Sequence, residues 1–141
     1  MKTKEAQDYL KSIRKKDFII RNKLAEREQM YSMAFCITPQ ASGERVQSSG
    51  SKQKMANTID KCVDMDREID RLIDELIDLK KEIGAIIEEL PMDEYDVLHK
   101  MYFQFMTFDE IAEAKDRSKS WATTTHGRAL IKVQKVLESK V

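Results

Sequence analysis

Between Ser118 and Leu130 the chain reads SKSWATTTHGRAL. Hydroxyl groups from Ser118, Ser120, Thr123 and Thr124 can bond phosphate oxygens or base edges, and a threonine methyl can meet the methyl of thymine. Lys119 and Arg128 add positive charge, with Arg117 just ahead of them. β-Branched threonines and a glycine are poor helix formers, so a helix built from them needs a buried face for its stability. Counted from a capping serine at 118, that face falls on Ala122, Thr125, Ala129, Leu130, Val133 and Leu137. Lys119, Ser120, Thr123, Thr124, Gly127 and Arg128 are left on or beside the outer face. Gly127 costs a helix about 1 kcal/mol relative to alanine, which makes sense where another backbone must come close.

Other chemistry finds little support. His99 and His126 are far apart with no nucleophile or metal-ligand cluster beside them, so no enzyme is expected. His99 reads as a partly exposed structural residue, and His126 as a residue at the rim of the last helix. The acids Asp60, Asp64, Asp66, Asp70, Asp74 and Asp78 alternate with Arg67, Arg71 and Lys80, the pattern of a solvated helix face rather than a cation site. Cys36 and Cys62 lack a CxxC or a nearby histidine and read as reduced thiols. No cofactor or metal is implied.

The elements that must position the 118–130 segment follow from hydrophobic spacing. The 141 residues are 35% charged, with four glycines and two prolines, which favours long solvated helices. Leu10, Ile13, Ile20, Leu24, Tyr31 and Ala34 recur at three-four spacing, with Asp17 and Arg27 at two seam positions. This predicts a helix from about Thr3 to Phe35, stopped by Thr38-Pro39. A polar stretch from Pro39, PQASGERVQSSGSKQ, marks the loop expected over 36–51. Cys62, Ile69, Leu76, Ile83 and Leu90 are then spaced by sevens, as are Met65, Leu72, Leu79 and Ile86. That register predicts a second helix over Lys52–Leu90, with Ile73 and Ile87 widening its stripe.

Residues 1–54 hold 12 basic and 6 acidic residues, and residues 55–90 hold 5 and 11, so the two helices attract as an antiparallel hairpin. The second stripe is the richer, so Ile69, Leu72, Ile73, Leu76, Leu79, Ile83 and Ile86 are expected to pair with another copy, giving a homo-oligomer, most simply a dimer. The alternative is that the C-terminal part of the chain covers them.

Pro91 ends the second helix. Asp93 and Glu94 suit the first turn of a third, whose apolar face is Tyr95, Leu98, Met101, Tyr102 and Phe105. Thr107 and Glu110 have capping-box spacing ahead of a short helix that points Phe108, Ile111 and Ala112 inward. The Lys115-Asp116-Arg117 turn leads to the Ser118 cap. The expected fold is therefore all-α: a helical hairpin arm over 1–90, then a helix-turn-helix domain over 91–141 that binds double-stranded DNA. Residues 115–141, with 7 basic and 2 acidic residues, carry the positive charge such a domain needs.

The stretch EYDVLHKMYF, followed by TFDEIAEAKDRSKSWATTTHGRAL, resembles the region-four helix-turn-helix of sigma-seventy factors. The whole chain resembles a family of small phage and prophage proteins of the ArpU type from Gram-positive hosts. Its carrying motifs are YLKSIRKKDFIIRNKLAE, VQSSGSKQKMA and SWATTTHGRAL. The resemblance implies a phage-encoded regulator of late transcription in the bacterial cytoplasm. It also implies that Ser118, Lys119, Ser120, Trp121, Thr123 and Thr124 enter the major groove, with Arg128 near phosphate. Sigma recognition helices carry arginine or glutamine where this chain has Thr123 and Thr124, so bidentate guanine reading is not expected. Affinity per domain should be low, and two linked heads would offset it.

Three other readings fit the same layout: an RNA-polymerase-interacting factor, another protein-interaction module without DNA contact, and a small terminase-like packaging subunit. The N-terminal segment is charged throughout, unlike a secretory signal, and no apolar run is long enough to span a membrane.

Overall fold

A computed structural model describes residues 2–37 and 49–140, with side chains over 2–34 and 52–140. The described residues are helical and contain no strand. Five α-helices follow in order: α1 (Lys4–Ile37), α2 (Ser49–Ile87), α3 (Met92–Leu98), α4 (Phe108–Ala114) and α5 (Lys119–Ser139). A π-helical turn, His99–Phe103, continues α3. Residues 36–37 and 49–51, which fall in the loop expected over 36–51, are helical; the rest of that expected loop and the Thr38-Pro39 stop lie outside the described residues.

Two compact units form, and they cut across the boundary expected at residue 90. One comprises Met1–Asp17 with Leu76–Val141, the other Phe18–Glu75. The physical reason is that α1 begins against α5. Residues 3–6 open α1 with N–H groups that have no partner in their own helix. The amide oxygen of buried Gln134 accepts the Ala6 N–H at 3.0 Å, and its nitrogen donates to Glu5 and Glu138 at 3.3 Å. A residue from the last helix thus caps the first.

In the unit over 18–75, advancing along α1 steps backward along α2, so the helices run antiparallel. Lys23 meets Glu68 at 3.3 Å, and Arg27 and then Tyr31 both reach Asp66, with the Tyr31 hydroxyl donating at 3.0 Å. Asp66, expected on a solvated face, is instead the acceptor that pairs with polar Arg27. The guanidinium holds the Asp66 carboxyl below its ordinary range. Ile20, Ala34, Cys62 and Ile69 are buried here, and Cys62 is a free thiol.

The other unit is better filled. Leu10 and Ile13 of α1, Ile83 and Ile87 of α2, Val97 and Leu98 of α3, Ile111 of α4 and Val133 of α5 are all fully buried. Ile69, Leu76, Ile83 and Ile86 are therefore covered within one chain, and Leu72 and Leu79 partly so. Of the seven positions assigned to self-association, only Ile73 stays exposed, at 36%. The assignment is corrected accordingly: the rich stripe of α2 serves α1 and the C-terminal helices. Helix α2 also ends at Ile87 rather than Leu90, where Glu89 and Leu90 tighten onto Ile86 and Ile87.

Helices α3 and α4 pack on α5. Between them Val97, Ile111, Ala112 and Ala122 form a cluster flanked by Met101, Met106, Phe108 and Trp121. Lys115 on the α4 C-cap ties this layer to α3 through Asp96 (2.5 Å), which Lys100 also contacts at 3.1 Å. Burial alone would raise the Asp96 carboxyl, yet the two ammonium groups outweigh it and hold it below its usual value.

The connection from α4 to α5 is a tight left-handed stop. Arg117 N–H reaches Ala112 O at 2.9 Å and Asp116 N–H reaches Glu113 O at 3.1 Å, with Asp116 at φ 54°. A side chain at that φ carries a cost glycine avoids, although glycine also gains entropy when unfolded. Asp116→Gly is expected to stabilise the protein by about 0.5 kcal/mol, read by urea unfolding; a loss of stability would assign the Asp116 carboxylate a bonding role.

Candidate nucleic-acid interface

Helix α4 starts on a full capping box. Thr107 Oγ1 accepts from Glu110 N–H at 3.2 Å, and the Glu110 carboxylate accepts from Thr107 N–H at 2.9 Å. That reciprocal bonding lowers the Glu110 pKa. Ser118 caps α5 with a single bond and no reciprocal partner, its Oγ accepting from Trp121 N–H at 3.0 Å. Removing such a cap typically costs about 1 kcal/mol, so each fixes where its helix begins.

Along α5 the inward residues are Ala122, Thr125, Ala129, Leu130 and Val133, as the spacing predicts, with Gln134 added. Leu137 is half-buried. The opposite side leaves Ser118, Lys119, Ser120, Thr123, Thr124 and Arg128 exposed. Three of these are partly engaged. The Ser118 hydroxyl serves the cap, the Thr123 hydroxyl donates to Ser120 O at 3.0 Å, and Lys119 lies 3.6 Å from Asp109 in an exposed ion pair. Thr123 therefore offers oxygen lone pairs and a methyl group outward rather than a hydrogen.

Trp121 departs from the expected reading face. Its side chain sits half-buried against the Val97–Ile111–Ala112–Ala122 cluster, because position 121 lies only about 40° around the helix from buried Thr125. Arg117 lies over the indole, 5.2 Å from the ring centroid. The two form a cationic corner at the start of α5. The outward stripe also runs farther than the 118–128 segment. Thr124, Arg128, Ile131 and Lys135 follow at four-three-four spacing and all are exposed. The same arithmetic that places Arg128 outward could have included Lys135 from the sequence.

His126 is likewise not at the rim. It turns into the domain, where its Nε2 lies 2.7 Å from the Tyr102 hydroxyl and its ring meets Phe108 edge-on at 5.2 Å. Burial, and then the nearby Lys11 ammonium, push the imidazole down to about 4. Burial also pushes the Tyr102 phenol up to about 12, so the hydroxyl remains protonated and donates to the neutral imidazole when the ring proton is on Nδ1. His99 stacks between Tyr95 and Phe103 along α3 and the π turn.

At Gly127 an added Cβ meets no atom of the chain within 4 Å. Nothing inside the fold requires glycine there. Gly127→Ala is expected to stabilise the protein by about 0.5–1 kcal/mol through helix propensity, seen as a higher thermal midpoint.

Among the described residues no group of three or more metal-ligating side chains converges, and no helix is long and apolar enough to cross a membrane. Comparison with protein-family models, curated proteins and solved structures finds no match to this chain.

Proposed function

We propose that the protein is a DNA-binding transcriptional regulator of the phage ArpU type, acting in the bacterial cytoplasm. In this reading α4, the 115–117 turn and α5 make a helix-turn-helix that places α5 in the major groove. The observation that supports it is the division of α5 into two sides. Lys119, Ser120, Thr123, Thr124 and Arg128 face outward, while Ala122, Thr125, Ala129 and Val133 hold the helix to the core. Poor helix formers collected on an exposed, positively charged face are accounted for by contact with an anionic partner, and not by stability.

Reading on this face is weak in base specificity. Threonine and serine supply single hydrogen bonds and methyl contact, whereas bidentate arginine or asparagine pairs supply most direct discrimination. Shape of the groove and contacts by Arg117, Arg128 and Lys135 to phosphates then carry much of the affinity. Gly127, open on the same side, allows a sugar-phosphate backbone to approach.

The test is selection of bound fragments from phage or prophage DNA by the purified full-length chain, followed by titration of the enriched fragment at several salt concentrations. Affinity should fall linearly on a logarithmic salt scale, with a slope of about −0.9 for each phosphate contacted. Absence of any enriched fragment at low salt would overturn the proposal.

A further inference from the structure

Helix α1 turns Ile20, Arg27, Tyr31 and Ala34 toward the side that meets α2. Its opposite side in the 18–75 unit carries Phe18, Asn22, Ala25, Gln29 and Ser32, all exposed. Their spacing alternates four and three, which is a second heptad seam on the same helix. None of the five is charged in a chain that is 35% charged, while the positions beside them are Arg21, Glu26 and Glu28. Selection for solubility alone gives no reason to clear charge from one stripe and keep it on both shoulders.

Among the described residues, this unit also keeps large apolar side chains at its surface. It buries Ile20, Ala34, Cys62 and Ile69, while Phe18 is 50% and Met33 61% exposed. Helices that expose such side chains gain from packing them against a further helix.

We infer that this stripe is the seam of a homodimer, in which α1 of a second copy lies parallel to α1 of the first. The parallel arrangement stacks like on like: Phe18 on Phe18, Asn22 on Asn22, Ala25 on Ala25, Gln29 on Gln29. Paired asparagines at such positions fix register and two-strandedness at some cost in affinity. Arg21 of each copy then lies beside Glu26 of the other, twice by symmetry. An antiparallel pair would instead set Phe18 against Gln29. Small and polar layers make the dimer weak, with dissociation in the micromolar range or above. This inference does not depend on DNA reading by α5.

Sedimentation equilibrium on the full chain tests it. Ala25→Glu, at an exposed central position, should raise the dimer dissociation constant at least about tenfold and leave far-ultraviolet circular dichroism unchanged. Arg21→Glu should dissociate the dimer, and Arg21→Glu with Glu26→Arg should restore it. A wild-type chain that stays monomeric through the high-micromolar range overturns the inference. So does a dimer indifferent to Ala25→Glu, or one abolished by Ile73→Asp on α2 instead. Rescue of Arg21→Glu by Glu28→Arg rather than Glu26→Arg would overturn the parallel orientation.

Discussion

Lys119→Ala combined with Arg128→Ala should weaken DNA binding by roughly 30-fold near 100 mM salt and reduce the salt slope by about 2. Each side chain is exposed on the outward side of α5, and each would neutralise one phosphate. The loss should be nearly uniform across DNA sequences, because a phosphate contact positions the protein without reading bases. Folding should barely register the change. Lys119 is 63% exposed and its Asp109 partner 76%, and an exposed ion pair contributes at most about 1 kcal/mol. Arg128 is replaced by a better helix former on a solvated face. The measurement is fluorescence anisotropy with labelled duplex at four or five salt concentrations, with circular dichroism as the folding control. Binding that persists with an unchanged slope would move the DNA contact off α5 altogether. A similar loss confined to Lys135→Ala would shift the reading face toward the C-terminal half of the helix.

The legible parts of this chain were those fixed by local rules. Thr107-x-x-Glu110 and Ser118 announce helix starts through side-chain bonding within three residues, and both caps form. The period of α5 needs only its own residues, so its buried side was readable from Ala122 to Val133. What the sequence concealed were decisions made between distant elements. Gln134 looks like one more polar residue on a solvated helix, yet it caps α1 from 128 positions away. Arg27 looks like a defect in an apolar seam until Asp66 is placed opposite it. The stripe of α2 looked too rich for one partner helix because no local signal says that α1 and the C-terminal helices share it. His126 was misplaced for a related reason. Thr124 and Arg128, two positions to either side of it, are exposed, and only the packing of Tyr102 and Phe108 decides that the ring turns in.

That buried imidazole makes the fold acid-sensitive at a pH where most carboxylates are still charged. An unfolded histidine titrates near 6.5, whereas His126 in the fold titrates at about 4. Above pH 6.5 the ring is neutral in both states and its titration contributes nothing to the difference. As pH falls from 6.5 toward 4 the unfolded chain takes up a proton that the folded chain refuses, so stability declines through that window. The decline levels off below about 4, at a total of roughly 2–3 kcal/mol once the partly open edge of the site is allowed for. The carboxylates of Asp66, Asp96 and Glu110 act at lower pH, since their pKa values are depressed and their stabilisation is lost only as pH falls through those values. His126→Gln separates the two effects, because glutamine can still accept from the Tyr102 hydroxyl and does not titrate. Urea unfolding at pH 7.5, 6.5, 5.5 and 4.5 should show the wild type losing stability more steeply than His126→Gln, with the curves converging toward acid. Parallel curves would mean that His126 is solvated enough to titrate normally, and that the Tyr102–His126 contact opens readily in solution. If the outward face of α5 reads DNA as proposed, binding should share this acid sensitivity, because Tyr102, Phe108 and His126 hold α5 between its cap and Gly127 and acid that loosens them also disorders the face that carries Lys119 and Arg128.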